Sequence, residues 1–221
     1  MTGIEPVPPC RILPLVGYPD VSKKLKSTSA VAITFDDGPD PSFTPLVLDV
    51  LRRFRVRATF FLIGERAQAH PELVHRILAQ GHAVGSHSQT HAEPGSLGWR
   101  VVADFRAGRR SIERAAGRRV RLFRPPKGYL DRQERVALVA NRLRPWLWTI
   151  DPHDWEPGAR PAEVLRRLDG LGGGDVVLLH DGISGPIRPE ALDRSATVEV
   201  LPQIIELARE RRLELVALPG H

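Results

Sequence analysis

The chain has 221 residues, of which 42% are hydrophobic and 26% are charged. These proportions are those of an ordinary globular protein, so they exclude a disordered chain, a collagen-like repeat and a membrane-embedded body. Cys10 is the single cysteine, which excludes an internal disulfide framework and a cysteine-rich zinc module.

The net charge of +6 comes from arginine, and residues 100–144 concentrate it, with 14 basic side chains against four acidic ones. Such a segment is either a binding face for an anionic partner or the solvated face of helices in an arginine-rich protein. We favour the second, because the segment lacks the interleaved aromatic residues of a single-strand binder. We therefore expect no specific nucleic acid, and only peripheral contact of this segment with anionic surfaces.

Residues 1–29 are rich in proline, which predicts an extended arm in front of one folded domain over residues 30–221. The prolines interrupt every apolar run that could serve as a signal peptide, and no later segment approaches the roughly 20 apolar residues of a membrane span. These observations predict a cytoplasmic protein, whereas a longer native chain with a leader would be secreted.

After the arm, short apolar runs alternate with segments of helical period. The runs predict buried strands at 31–35, 58–62, 82–86, 121–123, 146–150, 175–180 and 213–218. The helical segments are 43–54 with Ser42 as N-cap, 71–80, 100–116, 131–140, 161–169 and 197–211. This alternation predicts a parallel sheet with right-handed crossovers, either closed as a barrel or open as a doubly wound sheet.

Polar residues that could perform chemistry follow five of the predicted strands. They are Asp36 and Asp37, His87 and His91, Arg124, Asp151 and Asp154, and His180. The carboxyl ends of parallel strands meet at one rim, where active sites of α/β proteins lie. Each residue has a structural alternative when taken alone, such as a turn aspartate or a core histidine. Their common position at one rim favours a functional site.

His87 and His91 are four residues apart, and on a helical turn this spacing would place both imidazoles on one side, able to share a metal ion. The pair alone is weak evidence. Asp37 would complete a set of two histidines and one carboxylate, which leaves metal positions open for water and substrate.

Five short motifs at these positions carry a resemblance to a known family. They are TFDDGP (34–39), HSQTH (87–91), RPPKG (124–128), DPHDW (151–155) and LLHD (178–181). With them the sequence resembles the polysaccharide deacetylase family, the NodB homology domain of carbohydrate esterase family four. The resemblance spans nearly everything after the arm. It implies an α/β fold, a distorted parallel (β/α) barrel of about seven strands.

The resemblance also implies roles for the motif residues. Asp37, His87 and His91 would bind one divalent metal ion, which is zinc in most members, with cobalt, manganese or nickel as alternatives. Asp36 would be the general base, and His180 the general acid that protonates the departing amine.

The remaining motif residues would support these groups. Arg124 would orient the base, and Asp154 would hold the acid histidine and sustain its charge. Trp155 and Leu178 would form the apolar walls of a small acyl pocket. Lys127 would offer its backbone N–H to an oxyanion hole. Many members have an aromatic residue where this chain has Lys127, and the lysine favours a substrate that carries phosphate or carboxylate.

We therefore expect a metal-dependent hydrolase that removes N-acetyl groups from amino sugars of a polysaccharide, oligosaccharide or glycolipid precursor. The alternatives on the same fold are a deformylase, an O-acetyl esterase and a hydrolase of cyclic amides. A third class is a non-catalytic module that binds glycan or nucleic acid. The intact set of acidic and histidine residues argues against that class.

Overall fold

The computed structural model of the protein describes residues 20–184 and 192–220. Most of the predicted arm, residues 1–19, lies outside the described residues. Its last ten residues are described, and several of them bond to the folded domain. Ser22 forms an isolated parallel bridge with Trp146, and the N–H of Leu25 donates to the carbonyl of Gly174 at 2.7 Å. The boundary between arm and domain stays a prediction.

The described residues form one parallel sheet that curls into a half-barrel, as the resemblance implied. The strands are β1 (Ala30–Asp36), β2 (Thr59–Leu62), β3 (Ala83–Ser86), β4 (Leu122–Phe123), β5 (Arg144–Pro145), β6 (Val176–His180) and β7 (Glu214–Leu215). Their order is β5-β4-β3-β2-β1-β6, and β7 pairs with β1. Every paired strand is parallel, so all carboxyl ends lie on the same side.

Helices connect the strands and cover the sheet. They are α1 (Thr44–Phe54), α2 (Gly64–Ala69), α3 (Pro71–Ala79), α4 (Val101–Ala116), α5 (Arg132–Asn141), α6 (Pro161–Arg166) and α7 (Ser195–Glu210). The helix α2 was not predicted, because six residues are too few to display a helical period. Gly81 and Gly117 follow α3 and α4 with φ of 83° and 64°, the left-handed conformation in which glycine ends helices at no steric cost.

Two local predictions were wrong. The apolar run 146–150 is not a strand: β5 lies just upstream, and the run forms only isolated bridges, from Trp146 to Ser22 and from Ile150 to Val177. An apolar run indicates that a segment is buried, and this segment is largely buried without forming a continuous strand ladder. Ser42 does not cap α1 either. The N–H groups of residues 42 and 43 instead donate to Oδ1 of Asp40, at 2.8 and 3.2 Å.

The central strand positions the site. All seven residues of β1 are buried, and it lies between β2 and β6. Its last residue, Asp36, is in register with Phe61 of β2 and with His180 of β6. The fold thus places a carboxylate and an imidazole side by side at the rim, although 144 positions separate them in the chain.

Candidate active site and metal centre

The two aspartates of the first motif separate at the end of β1. Asp36 is the last strand residue, whereas Asp37 has a φ of 70°, in the left-handed region. This change of conformation, rather than the alternation of a strand, turns the neighbouring side chains apart. Both are buried, with 3% and 5% of their surfaces exposed. Buried carboxylates are costly unless they are paired or bind a cation.

His87 and His91 lie on a loop and not on a helical turn. Ser88 and His91 have left-handed φ values of 66° and 54°. The Ser88 hydroxyl closes this turn by accepting the N–H of His91 at 2.9 Å. The loop nevertheless brings the two imidazole centroids to 4.9 Å from each other.

Asp37, His87 and His91 form a group that fits a divalent metal ion. Oδ1 of Asp37 lies 3.3 Å from Nε2 of each histidine, and the ligand atoms lie within 4.8 Å of one another. Nδ1 of His87 is 2.7 Å from the carbonyl of Arg124. A carbonyl can only accept, so Nδ1 carries a proton, and Nε2 is the ring nitrogen that faces Asp37 and could bind a metal ion. Oδ1 of Asp37 is buried without a hydrogen bond among the described residues, as expected for an atom that awaits a cation.

The ionisation of this group also suits a metal ion. Burial raises the pKa of Asp37, but the contact with His87 and the charges of His91 and His180 outweigh it and hold the pKa well below its usual range. Burial and the neighbouring His87 lower the pKa of His91 to about 4. The carboxylate is therefore ionised and His91 is neutral, which are the forms that bind metals. Burial lowers the pKa of His87, but the charges of Asp36 and Asp37 outweigh it and raise the pKa, so His87 would release a proton on binding a metal ion.

Arg124 holds Asp36 from inside the barrel. The guanidinium is fully buried, and its Nη1 donates to Oδ1 of Asp36 at 2.8 Å and to the hydroxyl of Thr34 at 2.7 Å. Its other nitrogens donate to the carbonyls of Trp146 at 3.1 Å and Leu147 at 3.0 Å. The arginine thus fixes one carboxylate oxygen of Asp36 and leaves Oδ2 on the side of the metal group, 3.8 Å from Nε2 of His87.

His180 and Asp154 form a second, fully hydrogen-bonded pair. Nδ1 of His180 is 2.8 Å from Oδ1 of Asp154, and the main-chain N–H of His180 donates to Oδ2 at 2.8 Å. Burial lowers the pKa of His180, but the charge and hydrogen bond of Asp154 outweigh burial, and with Asp37 and Asp36 they raise the pKa to about 9. His180 is therefore an imidazolium at neutral pH.

Lys127 of the third motif has a left-handed φ of 55°, and its neighbour Gly128 packs so closely on Trp148 that a Cβ there would lie 2.7 Å from the indole. The Lys127 ammonium is 2.5 Å from both carboxylate oxygens of Glu93, on the loop that follows the second motif. The sequence did not reveal this partner. The lysine charge is compensated, which weakens the argument from Lys127 for an anionic substrate.

The two residues predicted to line the acyl pocket differ in exposure. Trp155 is 38% exposed, donates from Nε1 to Asp151 at 3.3 Å and stacks on His153 at 5.5 Å between centroids. Leu178 is buried in β6, in register with Thr34 of β1. Their role in binding the acyl group stays a prediction.

The comparisons with known proteins agree with this geometry. The family model described as polysaccharide deacetylase matches residues 23–145, more than half of the chain. The chain belongs to the polysaccharide deacetylase family. No helix in the described ranges 20–184 and 192–220 is both long and apolar enough to cross a bilayer.

Individual members of this family cover most of the chain. A peptidoglycan-N-acetylglucosamine deacetylase of Bacillus cereus is 37% identical over 85% of this chain and 85% of its own length. A chitooligosaccharide deacetylase of Sinorhizobium fredii is 37% identical over 86% of this chain and 90% of its own. The crystal structure of the Bc1960 peptidoglycan N-acetylglucosamine deacetylase superimposes with a TM-score of 0.80 at 29% identity, covering 90% of this chain and 91% of that one.

Several residues that support the site in this family member were missed by the sequence analysis. The main-chain N–H of Ser184 donates to Oδ2 of Asp37 at 3.0 Å. Arg66 of α2 donates to the main-chain carbonyls of Asp37 at 2.9 Å and Ile183 at 2.5 Å. Bonds made by or to the main chain leave no signature in residue type, so no pattern could have found them. Thr34, in contrast, lies within the first motif and could have been singled out.

Proposed function

We propose that this chain is a metal-dependent hydrolase that removes N-acetyl groups from amino sugars of a polysaccharide, oligosaccharide or glycolipid precursor. One observation carries the proposal: the group Asp37, His87 and His91 lies at the same rim as a carboxylate held by arginine and an imidazolium held by aspartate. A base, an acid and a metal site at one rim can together hydrolyse an amide. The substrates named for the relatives support an N-acetylated sugar.

In this proposal Asp37, His87 and His91 hold the metal ion, with zinc as the expected metal and cobalt, manganese or nickel as alternatives. When bound, such an ion supplies Lewis acidity towards the acyl oxygen and towards water. The donor set of one carboxylate and two imidazoles suits these borderline metals.

Asp36 is the proposed general base. Because Arg124 occupies Oδ1 of Asp36, the oxygen free to take a proton is Oδ2, which faces the metal group. The fixed orientation of the carboxylate lowers the entropic cost of proton transfer from the attacking water. The water proton moves to Asp36 as the new C–O bond forms.

His180 is the proposed general acid. Its Nδ1 is engaged by Asp154, so Nε2 carries the proton that can be given away. An amine leaves poorly as an anion, and the C–N bond breaks readily only when the nitrogen is protonated. The proton passes from Nε2 to the amine as the acetate is released.

The remaining roles concern the substrate. We assign the backbone N–H of Lys127 to the oxyanion that develops on the acyl carbonyl, and Trp155 with Leu178 to the walls of the acetyl pocket. Glu93 compensates the charge of Lys127, which suits uncharged N-acetylglucosamine units. A cytoplasmic location and peripheral contact of residues 100–144 with anionic surfaces stay predictions, which cell fractionation and vesicle binding would test.

Metal analysis combined with acetate release tests the proposal. The purified protein should contain one divalent ion per chain and release acetate from N-acetylglucosamine oligomers. Chelation should stop the reaction, and added metal should restore it. The Asp36→Asn variant should keep the metal and lose acetate release by at least about 100-fold, because general base catalysis contributes roughly 10²–10⁴-fold.

The outcomes separate the alternatives. Formate release, or acetate released from O-acetylated sugars alone, would replace the deacetylase with a deformylase or an esterase. Cleavage of a cyclic amide without release of acetate would point to a cyclic-amide hydrolase. A protein without metal, with no hydrolysis after metal is added, would overturn the hydrolase. Glycan or nucleic-acid binding that survives in Asp36→Asn would then favour the non-catalytic module.

A further inference from the structure

We propose that Thr197 is a positioning residue: its hydroxyl fixes the Asp154 carboxylate and thereby aims His180 at the amine leaving group. The inference rests on the proposed function, in which His180 is the proton donor. None of the five motifs contains Thr197, and the family match over residues 23–145 ends well before it.

The Asp154 carboxylate is bound at both oxygens. Oδ1 faces Nδ1 of His180 at 2.8 Å. Oδ2 accepts the main-chain N–H of His180 at 2.8 Å and the hydroxyl of Thr197 at 2.7 Å. Asp154 is 1% exposed and Thr197 is fully buried, so water does not compete for these bonds. An ionised carboxylate only accepts, which makes Thr197 the donor.

Thr197 ties the pair to a second element of the fold. The other two bonds to the Asp154 carboxylate both come from His180, on β6. The hydroxyl of Thr197 links this carboxylate to a different element, the first turn of α7. Without it, the carboxylate could rotate together with the imidazole that it is meant to orient.

The same turn also holds the main chain of Asp154. Arg194, the residue before α7, is buried and donates from Nη1 to the Asp154 carbonyl at 2.9 Å. The 16-residue helix presents its N-terminal end here, where the helix dipole favours a negative charge. Arg194 and Thr197 together therefore clamp the backbone and the side chain of one aspartate.

A positioning role makes a prediction that depends on the leaving group. An N-acetyl sugar must receive the His180 proton on nitrogen as its C–N bond breaks. A 4-nitrophenolate leaves 4-nitrophenyl acetate without protonation, so an error in aiming the acid does not slow that reaction. A substitution that only misplaces the acid should thus slow hydrolysis of the amide and leave hydrolysis of the aryl ester unchanged. A merely structural defect would slow both.

The experiment compares Thr197→Val and Thr197→Ser on N-acetylglucosamine oligomers and on 4-nitrophenyl acetate, using the metal-loaded protein. Valine should lower the amide rate about tenfold, a part of the roughly 10²–10⁴-fold that general acids supply, and change the ester rate by less than about twofold. Serine keeps the hydroxyl and should restore the amide rate. Thr197→Ala serves as a second variant if valine impairs folding.

Two further variants make the outcome unambiguous. Thr59→Val removes another buried hydroxyl, which accepts the N–H of Leu218 at 2.9 Å, and it should not change the ratio of amide to ester rates. His180→Ala should lower this ratio more than any Thr197 variant. If His180→Ala leaves the ratio unchanged, the proposed acid is wrong. If His180→Ala lowers it but Thr197→Val does not, or serine fails to rescue, the inference about Thr197 is overturned.

Discussion

The two halves of the site differ in how completely the protein satisfies them. In the metal group, Oδ1 of Asp37 is buried without a hydrogen bond among the described residues, although two imidazole nitrogens lie 3.3 Å away. In the acid pair, both carboxylate oxygens of Asp154 are hydrogen-bonded. The metal group therefore needs a cation to satisfy Asp37, whereas the hydrogen bonds of the acid pair are all made within the chain.

The backbone shows the same contrast. Asp37, Ser88 and His91, in and beside the metal group, have left-handed φ values, which cost roughly 1–2 kcal/mol for each residue other than glycine. Asp154 and His180 themselves do not have such values, although His153, next to Asp154, has a φ of 57°. Ligand binding can offset the cost at the metal group, because an ion that binds only the folded state stabilises it. The stability of the metal group should therefore change with the metal concentration in the solution. The geometry of the acid pair should change only when one of its residues is substituted.

Removal of a metal ligand should have the largest effect. His87→Ala should lose the metal ion and lower acetate release by at least about a thousandfold, because Lewis-acid assistance contributes several kcal/mol. The thermal midpoint of the variant should no longer rise with added metal, unlike that of the native chain. Metal analysis and calorimetry measure these changes, and His75→Ala, on the exposed side of α3, is the control. Stoichiometric metal in His87→Ala would show that the ligand set is wrong.

The acid pair should set the alkaline limit of activity. The raised pKa of His180, about 9, keeps the imidazolium populated through neutral pH, so kcat/KM for the amide should fall only as the pH rises through about 9. The carboxylates that face His180 and support its charge are Asp154, Asp37 and Asp36. Asp154→Asn removes the strongest of them and should move this limit towards the ordinary value of 6.5. An unchanged pH profile in Asp154→Asn would contradict the acid role.

The smallest effect is expected at the Lys127–Glu93 ion pair. Both side chains are more than half exposed, and such pairs contribute about 0–1 kcal/mol. Glu93→Gln would leave the lysine charge uncompensated, so the rate for a carboxylate-bearing amino sugar should rise about threefold, while a neutral oligomer changes by less than twofold. Glu163→Gln, in the exposed pair with Arg160, is the matched control. Equal effects on both substrates would exclude Lys127 as a determinant of substrate charge.

The sequence by itself determined the family, the parallel sheet and the residues that meet at the rim. Buried strands are recognisable in a sequence as short apolar runs. A catalytic site needs particular residue types, such as Asp37 and His180, and in parallel sheets these follow the ends of strands. The glycines that end α3 and α4 were equally predictable, since a left-handed residue after a helix favours glycine.

Tertiary structure alone decided the remaining features. The histidines meet through left-handed residues of a loop and not through a helical turn, and β5 pairs upstream of the apolar run. Thr197 and Glu93 reach the site across 43 and 34 positions of the chain. A sequence pattern gives the type of each residue and the spacing of apolar residues within one helix or strand. Pairing across such separations depends on how the elements pack, which no local pattern records.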